Sequence, residues 1–163
     1  MTPTLSYKMH FASSPNCPFC EEIGTLSHMF LYYRELDPLK AHLQFLLHCI
    51  DSSLLLNDSL FITYFDPIKN NLPKTSKVLI DYILTLAKSC IYKTYFAVLK
   101  TVSDTTLSPS RSLDYLSVFQ NALKRKIDNE KKFTVYSSFL ERWGPFLGAV
   151  KGLQVESGAL QET

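Results

Sequence analysis

The chain has 163 residues, enough for one domain with a core that folds unaided. A hydrophobic fraction of 46% and an aromatic fraction of 13% exclude a disordered protein. A net charge of +2 is too small for polyanion binding through overall charge, so any contact with nucleic acid depends on local basic clusters.

Residues 1–16 read as irregular, with Pro3, Pro15 and several serines, and carry no apolar run of the kind a secretory signal needs. The longest apolar stretch, 78–99, is interrupted by Asp81, Lys88 and Lys93 and has a helix period, which argues against a membrane span. The expectation is an intracellular protein without a membrane partner, its four cysteines reduced. Nuclear and cytoplasmic locations both remain open.

A compact turn, Cys17-Pro18-Phe19-Cys20, comes next. Thr25 is placed to cap a short helix carrying Leu26, Met29 and Phe30. Asp37 and Pro38 read as N-cap and first position of a second helix, because proline costs nothing where the N–H is unpaired anyway. That helix carries Leu39, Leu43, Leu46, Leu47 and Ile50 on one face and stops near Asp51. Residues 54–65 fit a short helix or an extended run, and Pro67, Asn70-Asn71 and Pro73 mark a loop.

Thr75 or Ser76 opens the clearest helix. Leu79, Tyr82, Ile83, Leu86, Ala87, Cys90, Ile91, Thr94, Tyr95 and Val98 recur at spacings of three and four, which predicts a helix of at least five turns with that stripe buried. Asp81 and Lys88 should then be largely exposed. Residues 101–112, rich in Ser, Thr and Pro, read as a linker. A further helix carries Leu116, Phe119, Leu123 and Ile127, and continues or restarts through Phe133, Tyr136, Phe139, Leu140 and Trp143 until Gly144-Pro145 ends it. There is no internal repeat and no alternating strand pattern. The predicted fold is all-α, a bundle of about four to six helices with a small irregular zinc-knuckle-like module at the N-terminus. The expected divisions are that degenerate module at 1–35, a helical domain at 36–150 and a flexible tail at 151–163.

The most informative cluster is Cys17-x2-Cys20-x7-His28. A C-x2-C turn points two thiolates at one ion, and a histidine on the next short helix supplies a third ligand of the type tetrahedral zinc takes. The fourth position of such a knuckle falls on Tyr33, a poor zinc ligand, so the site is degenerate. His10, His42, His48 or Cys49 could complete it, and His42, one helix along, is the easiest of these to imagine. The alternative is that Cys17 and Cys20 are packing cysteines and His28 a surface residue. A redox C-x-x-C is disfavoured, since no βαβ pattern surrounds it.

Residues 17–31, Cys-Pro-Phe-Cys-Glu-Glu-Ile-Gly-Thr-Leu-Ser-His-Met-Phe-Leu, resemble the cysteine–histidine segment near the C-terminus of reverse-transcriptase polyproteins of vertebrate LINE-type (non-LTR) retrotransposons. That segment typically reads C-P-x-C, a few acidic residues, T-L-x-H-x-F and a final cysteine. By this match Cys17, Cys20 and His28 fall on three family ligand positions, and Tyr33 departs from the fourth. Leu79-Ile80-Asp81-Tyr82-Ile83-Leu84, with Ala87-Lys88 and Ile91-Tyr92-Lys93, is similar to the family's long helix. Phe139-Leu140-Glu141-Arg142-Trp143-Gly144 is similar to its F-x-x-x-W-G ending. The resemblance covers roughly residues 11–150 and implies the polyprotein's tail without its catalytic parts, for this chain has no Asp-Asp pair of the polymerase kind.

Lys124, Arg125 and Lys126, with Lys131 and Lys132, form the strongest basic cluster. Lys124, Arg125, Lys131 and Lys132 are the candidate phosphate contacts; the plainer reading is a solvated helix face balanced by Asp128, Glu130 and Glu141. No nucleophile elbow and no Gly-rich phosphate loop is present. The function expected is non-enzymatic: a retrotransposon-derived domain that ancestrally helped a reverse transcriptase hold RNA or single-stranded DNA, weakly and with salt sensitivity. The rival is a protein–protein interaction domain that has lost nucleic-acid and metal binding.

Overall fold

A computed structural model describes residues 14–20, 22–104 and 114–147, with the isolated positions 4, 8 and 9, and side chains through residue 98 of the long helix. The architecture among these residues is all-α. A turn of π-helix, His28–Tyr32, and a 3₁₀ turn, Arg34–Leu36, lead into α1 (Asp37–Ile50). Then follow α2 (Asp58–Thr63), α3 (Pro67–Asn70), α4 (Lys74–Asp104), α5 (Tyr115–Phe133), α6 (Tyr136–Trp143) and a final 3₁₀ turn, Gly144–Phe146. The predicted tail at 151–163 lies outside the described residues, as does most of the predicted linker; its positions 101–104 belong to α4.

The long helix α4 is the centre of the bundle. It packs most extensively against α5, and also against α1, α6 and the π turn. Leu79, Ile83, Ala87, Cys90, Ile91 and Tyr95 are buried, as the period predicts. Ile80 and Leu84 are fully buried as well, although they lie outside that stripe. The reason is that α4 is covered on more than one side, so its buried arc is wider than a surface helix requires. One continuous core joins Cys17, Met29 and Tyr33 to the helical residues through Phe146.

Several local expectations change. Asp37 is already helical, because the preceding 3₁₀ turn runs into α1 without an extended cap residue. Pro38 keeps its place at the helix start. The predicted loop at 67–73 contains the single turn α3, whose first N–H groups are capped by the Asp66 carboxylate at 2.8 and 3.0 Å. Asp81 and Lys88 are half-buried rather than largely exposed. Asp81 pairs with the buried Lys69 amine, which also donates to the Tyr64 carbonyl at 2.8 Å. Lys88 lies over the Tyr64 ring, 3.7 Å from its centroid, and donates to the Ile62 carbonyl at 3.3 Å. The segment between α1 and α4 folds back over this polar face of α4, and the helix period alone carries no sign of it. Gly144-Pro145 ends α6 after Trp143 as expected, and the 3₁₀ turn that follows delivers Phe146 to the core.

The α5–α6 corner is fixed by one carboxylate. Glu130 accepts from the Trp143 indole N–H at 2.7 Å and from Arg142 at 3.0 Å, and pairs with Lys126 at 2.8 Å. Burial pushes the Glu130 carboxyl upward, but the hydrogen bonds from Lys126 and Trp143 and the neighbouring positive charges outweigh it and hold it below the ordinary range. A carboxyl depressed in the folded state contributes stability that is present above its unfolded pKa and lost as pH falls towards the folded one. Glu130→Ala strands the Trp143 N–H and should cost about 2 kcal/mol, lowering Tm by roughly 4–8 °C in a thermal melt. Glu130→Gln should flatten the loss of stability below about pH 4.5 in a pH series of melts. An unchanged acid limb would show that Glu130 carries no such linkage.

Candidate metal centre

The turn holding the two cysteines is closed by backbone pairing. Asn16 and Ile23 form an isolated antiparallel bridge. The Cys17 N–H donates to Glu22 O at 2.6 Å, and the Gly24 N–H donates to Pro15 O at 2.9 Å. The tight reversal turns Cys17 inward and leaves Cys20 exposed at the rim. Thr25 then caps the next helix as predicted, its hydroxyl accepting from the His28 N–H at 3.0 Å. The π turn is closed by the Tyr33 N–H on the His28 carbonyl at 2.9 Å. Single π turns of this kind recur at functional sites because they re-aim side chains within a helix.

These elements bring the three predicted ligands together. The sulfurs of Cys17 and Cys20 and a ring nitrogen of His28 all lie within 4.8 Å of one another. Cys17 and His28 are only 2% and 5% exposed, so His28 is not the surface residue of the plainer reading. Cys20 Sγ stands 3.2 Å from His28 Nε2. Zinc bonds of 2.0–2.3 Å place tetrahedral ligands roughly 3.5 Å apart, so shifts of about an ångström would close the three on one ion.

The donor set also has the surroundings a metal site needs. His28 Nδ1 faces the Glu22 carboxylate at 3.3 Å, which favours the tautomer whose Nε2 lone pair points at the sulfurs. The Tyr95 hydroxyl lies 3.5 Å from Cys17 Sγ and can donate to it once the sulfur is a thiolate. Partial burial pushes the Cys20 thiol above its ordinary value, and the adjacent Cys17 adds to the shift. A bound cation would reverse that preference, because zinc takes the deprotonated sulfur.

The fourth corner is where the knuckle pattern departs. Tyr33 is buried, its ring edge-on to His28 at 5.6 Å and to Tyr115 at 6.1 Å. Burial first, then the nearby Cys17, Glu35 and Cys20, push its phenol well above the ordinary value, which keeps it protonated. Among the described residues, none of the other candidates is in the cluster. His42 packs edge-on against Phe119 at 6.1 Å, and its burial lowers the imidazole's affinity for a proton. His48 is exposed on α1, Cys49 is half-buried beside the core, and His10 lies outside the described residues. The Tyr115 hydroxyl is buried with no hydrogen-bond partner among the described residues.

The basic residues form a separate place. Lys124, Arg125, Lys131 and Lys132 are exposed on α5, on the face opposite its buried Tyr115, Phe119, Leu123 and Ile127. Lys126 leaves this set, being bound to Glu130 and lying against the Tyr82 ring. Tyr115, at the first turn of α5, touches the metal cluster through Tyr33, whereas Lys131 stands about 24 Å along the same helix at 1.5 Å per residue. The ligands and the basic face therefore do not form one site. Glu22 and Tyr95 are the residues that sequence reasoning missed. The acid just past the C-x2-C turn is a usable signal, whereas Tyr95 is 78 residues from Cys17 and only folding brings it there. Comparison of the chain with protein-family models, with curated proteins and with solved structures finds no match.

Purified chain titrated with zinc should bind one ion and melt at a temperature that rises with the logarithm of free zinc above its dissociation constant. Cys20→Ser should abolish the shift, and Glu22→Gln should weaken zinc about 10–100-fold. Tyr33→Cys should tighten it by placing a thiolate at the fourth corner. Unchanged affinity in Tyr33→Cys would mean that another group already completes the site.

Proposed function

We propose that this chain is a non-enzymatic domain derived from the tail of a LINE-type reverse-transcriptase polyprotein. In it a zinc ion fastens the N-terminal turn to a helical bundle, and the outer face of α5 holds RNA or single-stranded DNA. The convergence of Cys17, Cys20 and His28 within 4.8 Å is the observation that carries the reading. Three candidate ligands at knuckle spacing, drawn from a turn and from a separate helix, have no need to meet in a purely structural segment.

The ion's part is architectural. Cys17 is buried against the long helix through Tyr95, so a metal on its sulfur couples the turn to the bundle. Nucleic acid falls to α5. Of the two acids near its basic residues, Glu130 is committed inward to Lys126, Arg142 and Trp143, which leaves Asp128 as the counter-charge on that side. None of Lys124, Arg125, Lys131 and Lys132 makes an ion pair among the described residues, so all four remain available to phosphates.

Binding of this kind rests on counterion release and is indifferent to sequence. Three or four phosphate contacts to a single strand predict a slope of about −2 to −3 for log affinity against log salt. Changing Lys124, Arg125 and Lys131 to Ala should flatten that slope while leaving the helical circular-dichroism spectrum intact, since exposed helix positions tolerate alanine. No binding at low salt, or a slope that survives the triple change, would turn the reading to the protein–protein rival.

A further inference from the structure

The corner between α5 and α6 exposes apolar side chains that the fold does not use. Phe133, the last residue of α5, is 88% exposed, Val135 is 74% exposed and Tyr136, which opens α6, is 55% exposed. Single exposed apolar residues are ordinary on protein surfaces. Here three fall within four positions, directly after the two free cations Lys131 and Lys132. The backbone explains why they point outward. Thr134 and Val135 are extended, so the chain reverses between the helices in two residues, and Glu130 pins the inner side of the turn to Trp143. The core side of the corner is already filled by Ile127, Phe139 and Trp143, leaving Phe133 and Tyr136 no place inside. Neither ring makes an aromatic contact among the described residues.

We infer that Phe133 and Tyr136 are a base-stacking platform for single-stranded nucleic acid, continuous with the basic face of α5. This rests on the nucleic-acid reading above and specifies which form of nucleic acid the face takes. Charge and shape argue for that occupant together. Arg125 and Lys132 lie seven residues apart on one face, about 10 Å along the helix, and Lys132 adjoins Phe133, so a strand whose phosphates follow that face comes within reach of the exposed rings at the corner. An aromatic ring stacks on any unpaired base, whereas a duplex keeps its base faces covered. The surface thus selects single strands over duplexes of equal charge. The cations supply attraction that falls with salt, and the rings supply attraction that salt hardly changes. A length of about four nucleotides, near the lower limit for strand-binding grooves, is enough to reach from Arg125 to Tyr136.

The test is fluorescence anisotropy of the full chain with a labelled twelve-nucleotide oligoadenylate, and with a duplex of the same length, at two salt concentrations. The variants are Phe133→Ala with Tyr136→Ala, and Phe133→Trp. The double alanine variant should lose tenfold or more in affinity for the single strand, keep the salt slope of the parent and leave duplex binding unchanged. Phe133→Trp should retain or improve single-strand affinity. Equal single-strand affinity in parent and double variant overturns the platform while leaving the electrostatic reading in place. A loss that is equal for strand and duplex also overturns it. No binding by the parent at low salt overturns both. Circular dichroism of the variants controls for folding, which these exposed positions should not disturb.

Discussion

A helix of 31 residues whose buried side chains include Leu79, Ile80, Ile83 and Leu84 in near succession cannot hide them against one neighbour. The rest of the structure answers that constraint. α5 takes the broadest share of the long helix, α1 and α6 take flanking parts, and the N-terminal π turn takes a further patch towards its C-terminal half. Even the polar side of α4 is drawn in, because Lys69 and Lys88 tie the segment between α1 and α4 to its surface. That segment is held at its other end by Gln44, which donates to the Leu54 carbonyl at 2.9 Å and accepts from the Leu56 N–H at 2.7 Å. Gln44 thus satisfies two backbone groups that no regular ladder pairs, as a loop packed against a core requires.

The metal cluster is part of the same solution. Cys17 enters the core beside Tyr95 of the buried stripe of α4, and Phe19 stacks edge-on against the same tyrosine at 5.2 Å. Tyr33, Tyr95 and Tyr115 line the inner side of the cluster, one each from the N-terminal segment, α4 and α5. Their phenols are all pushed above the ordinary value, chiefly by burial. An apolar wall of neutral phenols on one side and the open rim at Cys20 on the other give the site a dry face and a solvent face. An ion held there would exchange through the rim, while the buried Cys17 sulfur would keep its place in the core.

The two ends of α5 carry different chemistry. Its first turn closes on the tyrosines beside Cys17, and its last turn carries Lys131, Lys132 and the exposed Phe133. Any influence of a bound metal on the basic face would have to pass through the packing of α5 against the N-terminal segment and α4, the contact of Tyr115 with Tyr33 included. A chain of packed side chains can carry such an influence, but it demands that the helix itself shift.

The sequence by itself determined the helical class, the positions of α1, α4 and α5, and the cluster of candidate ligands Cys17, Cys20 and His28. These rest on local rules: apolar periodicity, caps and ligand spacing, each readable within a few turns of chain. It also separated Lys126 from the other cations, since helical geometry alone puts that position beside the apolar stripe. The double-sided burial that hides Ile80 and Leu84, the pairing of Lys69 with Asp81, and the approach of Tyr95 to Cys17 were decided only by the tertiary structure. So were the exclusion of His42 from the metal cluster and the distance between that cluster and the basic face. Each depends on which helices become neighbours, and residues far apart in the chain leave no periodic or spacing signal of their meeting.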